Sequence, residues 1–355
     1  MSGDEVLISA ENGLARIRLN RPDALNALTL SMVRRMTEAL LAWRARDDVR
    51  IVLLDHGEGR GFCAGGDIRA LYESVKGDGQ LARDFFTEEY RLNTLIKTYP
   101  KPFVALMDGV TMGGGVGVSV HGSHRVVTEN TIFAMPETGI GLFPDVGGTW
   151  FLPRLPGEVG AFMALTGARL KAADCVKVGI ATHYAPADLL DVIRAQVGEA
   201  ALSRDPAAAL ALELAEFSEQ AGEAPLLAHK DAINKSFAHN RVEDVIAALA
   251  ADGSDWARAQ SAAIAGKAPV SLKVALRQLR EGRSLATFED AMRIEQRLAR
   301  RIVFAHDFSE GVRALVIAKD NAPRWAPPRL EDVSDEMIDA LFSPLDAGDE
   351  LRFLD

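Results

Sequence analysis

Twice in the first 130 residues an apolar run ends in a glycine-rich loop that leads into a helical pattern. That order restricts the chain to few folds. The first instance is Arg50 to Asp55, with Ile51, Val52, Leu53 and Leu54 in a row, then a glycine-rich loop from Gly57 to Gly66 and a helix start near Asp67. The second is Phe103 to Met107, then Gly113-Gly114-Gly115, a short helix and a further strand over Arg125 to Thr128. Continuous apolar runs mark strands buried on both faces, as parallel strands are. Strand, turn, helix and strand again predict an α/β protein whose units stack along one axis. No fixed-period repeat accompanies the pattern, so the repetition is one of structure.

The flanks read as follows. Val6 to Ala10 and Leu14 to Leu19 form a hairpin turning at Asn12-Gly13. Thr29 caps a helix whose Met32, Val33, Met36, Leu40 and Trp43 share one face. A long amphipathic helix covers Leu81 to Lys97. Beyond Asp188 strand-like runs fade, and helices are expected over Asp205 to Phe217, Val242 to Ala251 and Ser271 to Leu279. A further helix starts after Ser284, with Leu285, Phe288, Met292 and Leu298 as a core-facing stripe. The tail at Pro323 to Pro328 is irregular. This divides the chain into a core over residues 1–200 and a helical region over residues 201–355.

Charge and cysteine content exclude some functions. A formal net charge of -10 over 355 residues argues against broad binding to nucleic acid or anionic membranes. A local cationic cluster can still take a phosphorylated ligand. Cys63 and Cys175 form no metal-like pair, so a reducing compartment is expected, the cytoplasm first. Met1 to Glu5 lacks the basic start and apolar run of a signal peptide. The most apolar stretch, Pro102 to Val120, contains Asp108 and five glycines, which does not suit a membrane helix. His121 and His124 have no third ligand in reach of the pattern, and no metal is expected.

The stretch from Met135 to Gly148 holds Glu137 and Asp145 eight residues apart, each beside a proline and among Met, Ile, Leu, Phe and Val. Burial raises a carboxylate's pKa, and two neighbouring carboxylates push their values apart. One can then serve as base or nucleophile while the other holds a proton. Turn-forming acids without chemistry are the alternative. The loops Gly61 to Ile68 and Met112 to Gly117 each join a strand to a helix start, where N–H groups lack internal partners. Two such groups would make an oxyanion hole. Tight strand–helix packing would account for the glycines equally well. Neither loop is a nucleotide motif. Gly117-Val118-Ser119-Val120-His121 misses the G-x-S-x-G pattern, with Ser119 expected inside a helix. Cys63 reads as a small packing residue.

Four pieces in this order, Arg21-Pro22-Asp23-Ala24-Leu25-Asn26-Ala27-Leu28, Phe62-Cys63-Ala64-Gly65-Gly66-Asp67-Ile68, Gly113-Gly114-Gly115 and Pro136-Glu137, resemble the crotonase (enoyl-CoA hydratase/isomerase) superfamily. The resemblance implies a crotonase-like spiral of ββα units with a helical C-terminal region covering the acyl-CoA site. It also implies an acyl-CoA thioester whose carbonyl oxygen lies between the N–H groups of Gly66 and Gly114. Hydratases of the superfamily carry one glutamate three residues after the second oxyanion glycine and another where Glu137 stands. Here the first position is Gly117, and Asp145 stands where simple hydratases have a small residue. Glu88-Glu89-Tyr90, the Pro136 to Gly148 loop and Asp307-Phe308-Ser309-Glu310-Gly311-Val312-Arg313-Ala314 resemble a hydrolase branch of the superfamily, over nearly the full length.

That branch implies hydrolysis of a 3-hydroxyacyl-CoA thioester, 3-hydroxyisobutyryl-CoA of valine breakdown before others. Glu137 would be nucleophile or general base. Asp145 would hold the substrate hydroxyl, position water or assist the thiol, and Glu89 would line the acyl pocket. No cofactor is implied, since coenzyme A is part of the substrate. The expected partner is that small molecule, with neither nucleic acid nor membrane, and a homo-oligomer is left open. Arg21, Arg69, Lys319 and Arg324 are candidate cations for the CoA phosphates, and the segment Arg301 to Lys319 is the one expected to close over the CoA. Hydration or isomerisation through Glu137 alone, and non-catalytic acyl-CoA binding, are the competing readings.

Overall fold

In the computed structural model, residues 4–215, 217 and 221–354 are described; Met1 to Gly3 and Glu216, which entered the expectations above, lie outside them. Val6–Glu11 (β1) and Gly13–Leu19 (β2) pair antiparallel across the turn at Asn12-Gly13. Val49–His56 (β3), Gly61–Cys63 (β4), Phe103–Met107 (β5), Val110–Met112 (β6), His124–Val127 (β7), Ile132–Ala134 (β8) and His183–Tyr184 (β9) follow. One sheet runs β1-β2-β3-β5-β7-β9 and a smaller one runs β4-β6-β8. Three successive strand pairs each send their first strand to the large sheet and their second to the small one. Helical segments follow each pair, at Ile68–Lys76, Gly114–Gly117 and the 3-10 turn Glu137–Ile140. This is the spiral of ββα units expected above.

The chain forms two compact units, each drawn from separated segments. The first comprises Met1–Gly66, Arg91–Phe133 and Leu170–Ala228; the second comprises Asp67–Tyr90, Ala134–Arg169 and His229–Asp355. These units partition the chain differently from a boundary at residue 200.

In the first unit Ile51, Leu53, Val104, Leu106 and Val126 form a core with Ile193, Val197, Leu210 and Leu214 from the helices Leu190–Leu202 and Pro206–Ala215. β3 pairs in parallel with β2 and β5, which buries its row of aliphatic side chains on both faces. Asp55 at the end of that strand is fully buried and meets Arg16, Arg18 and Arg194. A buried carboxylate without such partners would be strongly destabilising.

The second unit is largely helical. Val159–Thr166 is buried at every position, and Pro269–Gly282 and Phe288–Ile302 lie in the same unit. The last of these starts later than the sequence predicts. Thr287 caps it by accepting from the Asp290 N–H at 3.2 Å, which leaves Leu285 before the helix. The helices Lys230–Phe237 and Asp255–Ala265 were not anticipated. Among the described residues no helix is long and apolar enough to cross a membrane.

Candidate active site

The second unit contains the acid loop. Met135, Phe143 and Val146 are buried around it, and both acids are nearly excluded from solvent, Glu137 5 % and Asp145 4 % exposed. Glu137 opens the 3-10 turn, and its carbonyl receives the Leu142 N–H at 3.0 Å. Behind the turn packs the helix His306–Val312. A Cβ on Gly311 would sit 2.4 Å from the Ile140 carbonyl carbon, so that motif glycine permits the close approach. Asp145 accepts the Tyr90 hydroxyl at 2.9 Å, and its own carbonyl takes the Gly148 N–H at 2.8 Å. Val146 follows at φ 51°, a left-handed conformation that a β-branched residue rarely adopts. Such strain costs about 1–3 kcal/mol and persists only where the surroundings impose it.

Electrostatics tie the acids together. Burial pushes Asp145 up to about 7, opposed by the Tyr90 hydrogen bond. Burial, then the charge of Asp145, holds Glu137 well above the usual carboxylate range, while Lys267 acts against this. Glu89, 2 % exposed, is raised well above its ordinary value by burial and then by the charges of Asp145, Glu295 and Glu137. Glu137 Oε2 and Glu89 Oε1 are buried and have no hydrogen-bond partner among the described residues. Such orphaned acceptors are costly unless something fills the site beside them. Carboxyls coupled this way share protons, so one can be ionised while a neighbour stays protonated.

Two residues of this cluster escaped the sequence reading. Glu295 is fully buried, accepts the Gly147 and Thr149 N–H groups at 2.8 Å each, and is raised by burial to about 8. The signal was present: it sits on the buried face of its helix with Met292, Leu298 and Ala299, an acid within an apolar stripe. Lys267 lies against Gly139 and Gly167, its Nζ 3.4 and 3.2 Å from where their Cβ atoms would be. No sequence pattern marks it.

The glycine loops belong to the first unit, where they are adjacent. A Cβ on Gly65 would lie 3.9 Å from the Gly114 nitrogen. Gly113 adopts φ 47° and ψ -123°, which effectively requires glycine, and so aims the start of Gly114–Gly117. Gly115 is a packing glycine, since its Cβ would meet the Cys63 carbonyl oxygen at 2.1 Å. Among the described residues neither Gly66 nor Gly114 gives its N–H to a backbone carbonyl. Among the described residues two backbone N–H groups without a backbone acceptor thus lie in this unit, and the buried acids Glu89, Glu137, Asp145 and Glu295 lie in the other.

Ser119, His124 and Arg21 each have partners within the fold. Ser119 lies just past the helix rather than inside it, and its hydroxyl donates to the Gly115 carbonyl at 2.7 Å. His124 stacks on His183, with ring centroids 6.0 Å apart, and burial lowers the pKa of both. Arg21 pairs with Glu5 and donates to the Ala27 carbonyl.

A spiral of ββα units carrying adjacent glycine loops and a buried acid loop has the architecture of the crotonase class. Residues 14–342 match the enoyl-CoA hydratase/isomerase family, and the chain belongs to that family. It is 44% identical to the mitochondrial 3-hydroxyisobutyryl-CoA hydrolase of Gallus gallus, over 98% of this chain and 91% of that protein. The Homo sapiens protein of the same name is 43% identical over 99% of this chain and 92% of its own. Among solved structures, a carnitinyl-CoA dehydratase from Mycobacterium thermoresistibile matches with TM-score 0.92 at 42% identity, covering 99% of both chains. An enoyl-CoA hydratase from Rhodobacter sphaeroides 2.4.1 matches with TM-score 0.90 at 37% identity, covering 99% of this chain and 100% of that one.

The compartment in the relatives' names overturns the cytoplasmic placement expected from the cysteines. Cys63 and Cys175 are buried and, among the described residues, form no disulfide. Such thiols indicate reducing surroundings but do not distinguish one reducing compartment from another.

Proposed function

We propose that this chain hydrolyses a 3-hydroxyacyl-CoA thioester, 3-hydroxyisobutyryl-CoA first, to the 3-hydroxy acid and free CoA, as a step of valine breakdown. The observation that carries this reading is the buried group Glu89, Glu137 and Asp145, in a chain similar over nearly its whole length to hydrolases of that name. In our reading the thioester carbonyl oxygen takes the N–H groups of Gly66 and Gly114, which offset the charge that develops there. Glu137 attacks the carbonyl carbon, in which case water later opens the acyl–Glu137 anhydride and frees the acid, or it removes a proton from the water that attacks instead. The C–S bond then breaks and the departing sulfur takes a proton from the carboxyl cluster. Asp145 and Glu89 hold the hydroxylated end of the acyl group and the protons in transit. Thioesters are already activated, so these steps call on no group beyond the CoA of the substrate. The expected partner is therefore a small acyl-CoA, and the net charge of -10 gives nucleic acid no part in it.

Hydration is the second reading, favoured by the names of the two solved structures. Gly117 weighs against it, because a two-glutamate hydratase would need an acid there. Release of free thiol from 3-hydroxyisobutyryl-CoA, measured beside loss of enoyl absorbance from crotonyl-CoA, separates them. Thiol release without enoyl loss is the expected result; the reverse sinks the hydrolase reading. Single turnover in heavy-oxygen water then distinguishes the two roles of Glu137. Label in its side chain reports direct attack.

A further inference from the structure

Glu295 is a fully buried acid in a helix distant in sequence from the acid loop, yet both its oxygens are committed to that loop. Oε2 accepts the Gly147 N–H and Oε1 the Thr149 N–H, each at 2.8 Å. Those two residues bracket the turn that follows Asp145, and Val146 between Asp145 and Gly147 is held at φ 51°. A β-branched residue leaves that conformation unless something prevents it. The backbone hydrogen bonds of the turn run from Gly148 to Asp145 and from Trp150 and Phe151 to Gly147. They leave the Gly147 and Thr149 N–H groups to the carboxylate. A surface helix cap could be any small polar residue, whereas this one reaches from the Phe288–Ile302 helix and sits in a dry interior.

We propose that Glu295 is a positioning residue for the hydrolysis: its carboxylate clamps the Gly147 and Thr149 N–H groups, holds Val146 left-handed and so fixes where Asp145 points. The proposal rests on the functional reading given above. A paired acceptor of fixed geometry is what a strained loop needs to present one side chain in one place. The clamp also sets the field in the cluster. Once it ionises, which burial delays to about pH 8, its charge bears on Glu89, Tyr90 and Glu137, in each case disfavouring their ionisation. An amide in its place keeps one acceptor, turns a second donor toward an N–H group and removes the charge.

The test compares the wild-type chain with Glu295→Gln and Glu295→Asp in thiol release from 3-hydroxyisobutyryl-CoA across pH. It adds hydrogen exchange at the Gly147 and Thr149 amides and thermal unfolding. For Glu295→Gln we expect kcat per folded molecule to fall about ten- to a hundred-fold. KM should change much less, and the acid limb that Glu137 gives the kcat/KM profile should move to lower pH. Exchange should quicken at those two amides alone. Glu295→Asp, which keeps the charge on a shorter arm, should retain the position of the limb while losing rate. A lowered unfolding temperature with an unmoved acid limb and near-normal kcat per folded molecule overturns the positioning role. A wild type that releases no thiol overturns the functional reading and this role with it, so the two failures are distinct.

Discussion

In the loops around Gly65 and Gly113 runs of glycine leave backbone N–H donors as the polar groups on offer. In the loop from Glu137 to Thr149 the polar groups are carboxylates, and the backbone serves to hold them. The first arrangement gives up conformational freedom, as Gly113 does at a conformation closed to other residues. The second gives up solvation, which leaves Glu137 and Glu89 with raised pKa values and unpartnered oxygens. Donors that never ionise suit a charge that appears briefly on a substrate oxygen. Acids whose protons are loosely apportioned suit steps in which a proton must be taken and returned. The difference teaches that each loop can be broken separately, with a different signature.

The strongest break is on the acid side. Glu137→Gln removes the ionisable group and keeps its size, so thiol release should fall about a thousand-fold or more while substrate affinity stays within a few-fold. Rapid-quench turnover beside calorimetric binding measures both. Wild-type turnover in this variant removes Glu137 from the mechanism. On the donor side, Gly113→Ala forces a Cβ into φ 47°, so the chain must rotate and the Gly114 N–H is re-aimed. Loss of one such donor typically costs about a hundred- to a thousand-fold in kcat. The pH profile should keep its shape, because no carboxyl has changed. A shifted profile in Gly113→Ala would show that the two loops do not act independently.

The two regions also differ in how far their sequence discloses them. Glycines at strand ends and acids among apolar residues are local signals, and Gly114, Glu137 and Asp145 stood out for that reason. Parallel strands were legible because burial on both faces writes an unbroken apolar run, as at Ile51 to Leu54. Glu295 was harder. Its meaning depends on Gly147 and Thr149, nearly 150 residues away, and the acid was hidden in a stripe read as core. Lys267 gave no local sign at all, since its place beside Glu137 is made by tertiary packing. The helix start at Phe288 was misplaced because Ser284 and Thr287 are both acceptable caps by composition, and only the Asp290 contact separates them. The compartment was misread because thiols report redox state alone.

The smallest effect bears on proton sharing within the acid loop. Asp145 is raised to about 7 by burial, and the Tyr90 hydroxyl lowers it from a still higher value. If turnover needs Asp145 ionised, kcat/KM rises with pH through about 7 in the wild type. Tyr90→Phe keeps the ring, including its edge contact with Phe86, but removes the hydrogen bond to the charged form. The acid limb that Asp145 sets should therefore move to higher pH. Stability follows the same proton with the opposite sign. An acid whose folded pKa lies above its unfolded value of about 3.9 binds its proton more tightly when folded. Its contribution is complete below about pH 4 and is lost as pH rises toward 7 and beyond. Asp145→Asn should flatten that decline in the unfolding temperature between those limits. An unaltered slope would mean that Asp145 ionises normally in the folded chain, and that the cluster's protons reside on Glu137 and Glu89.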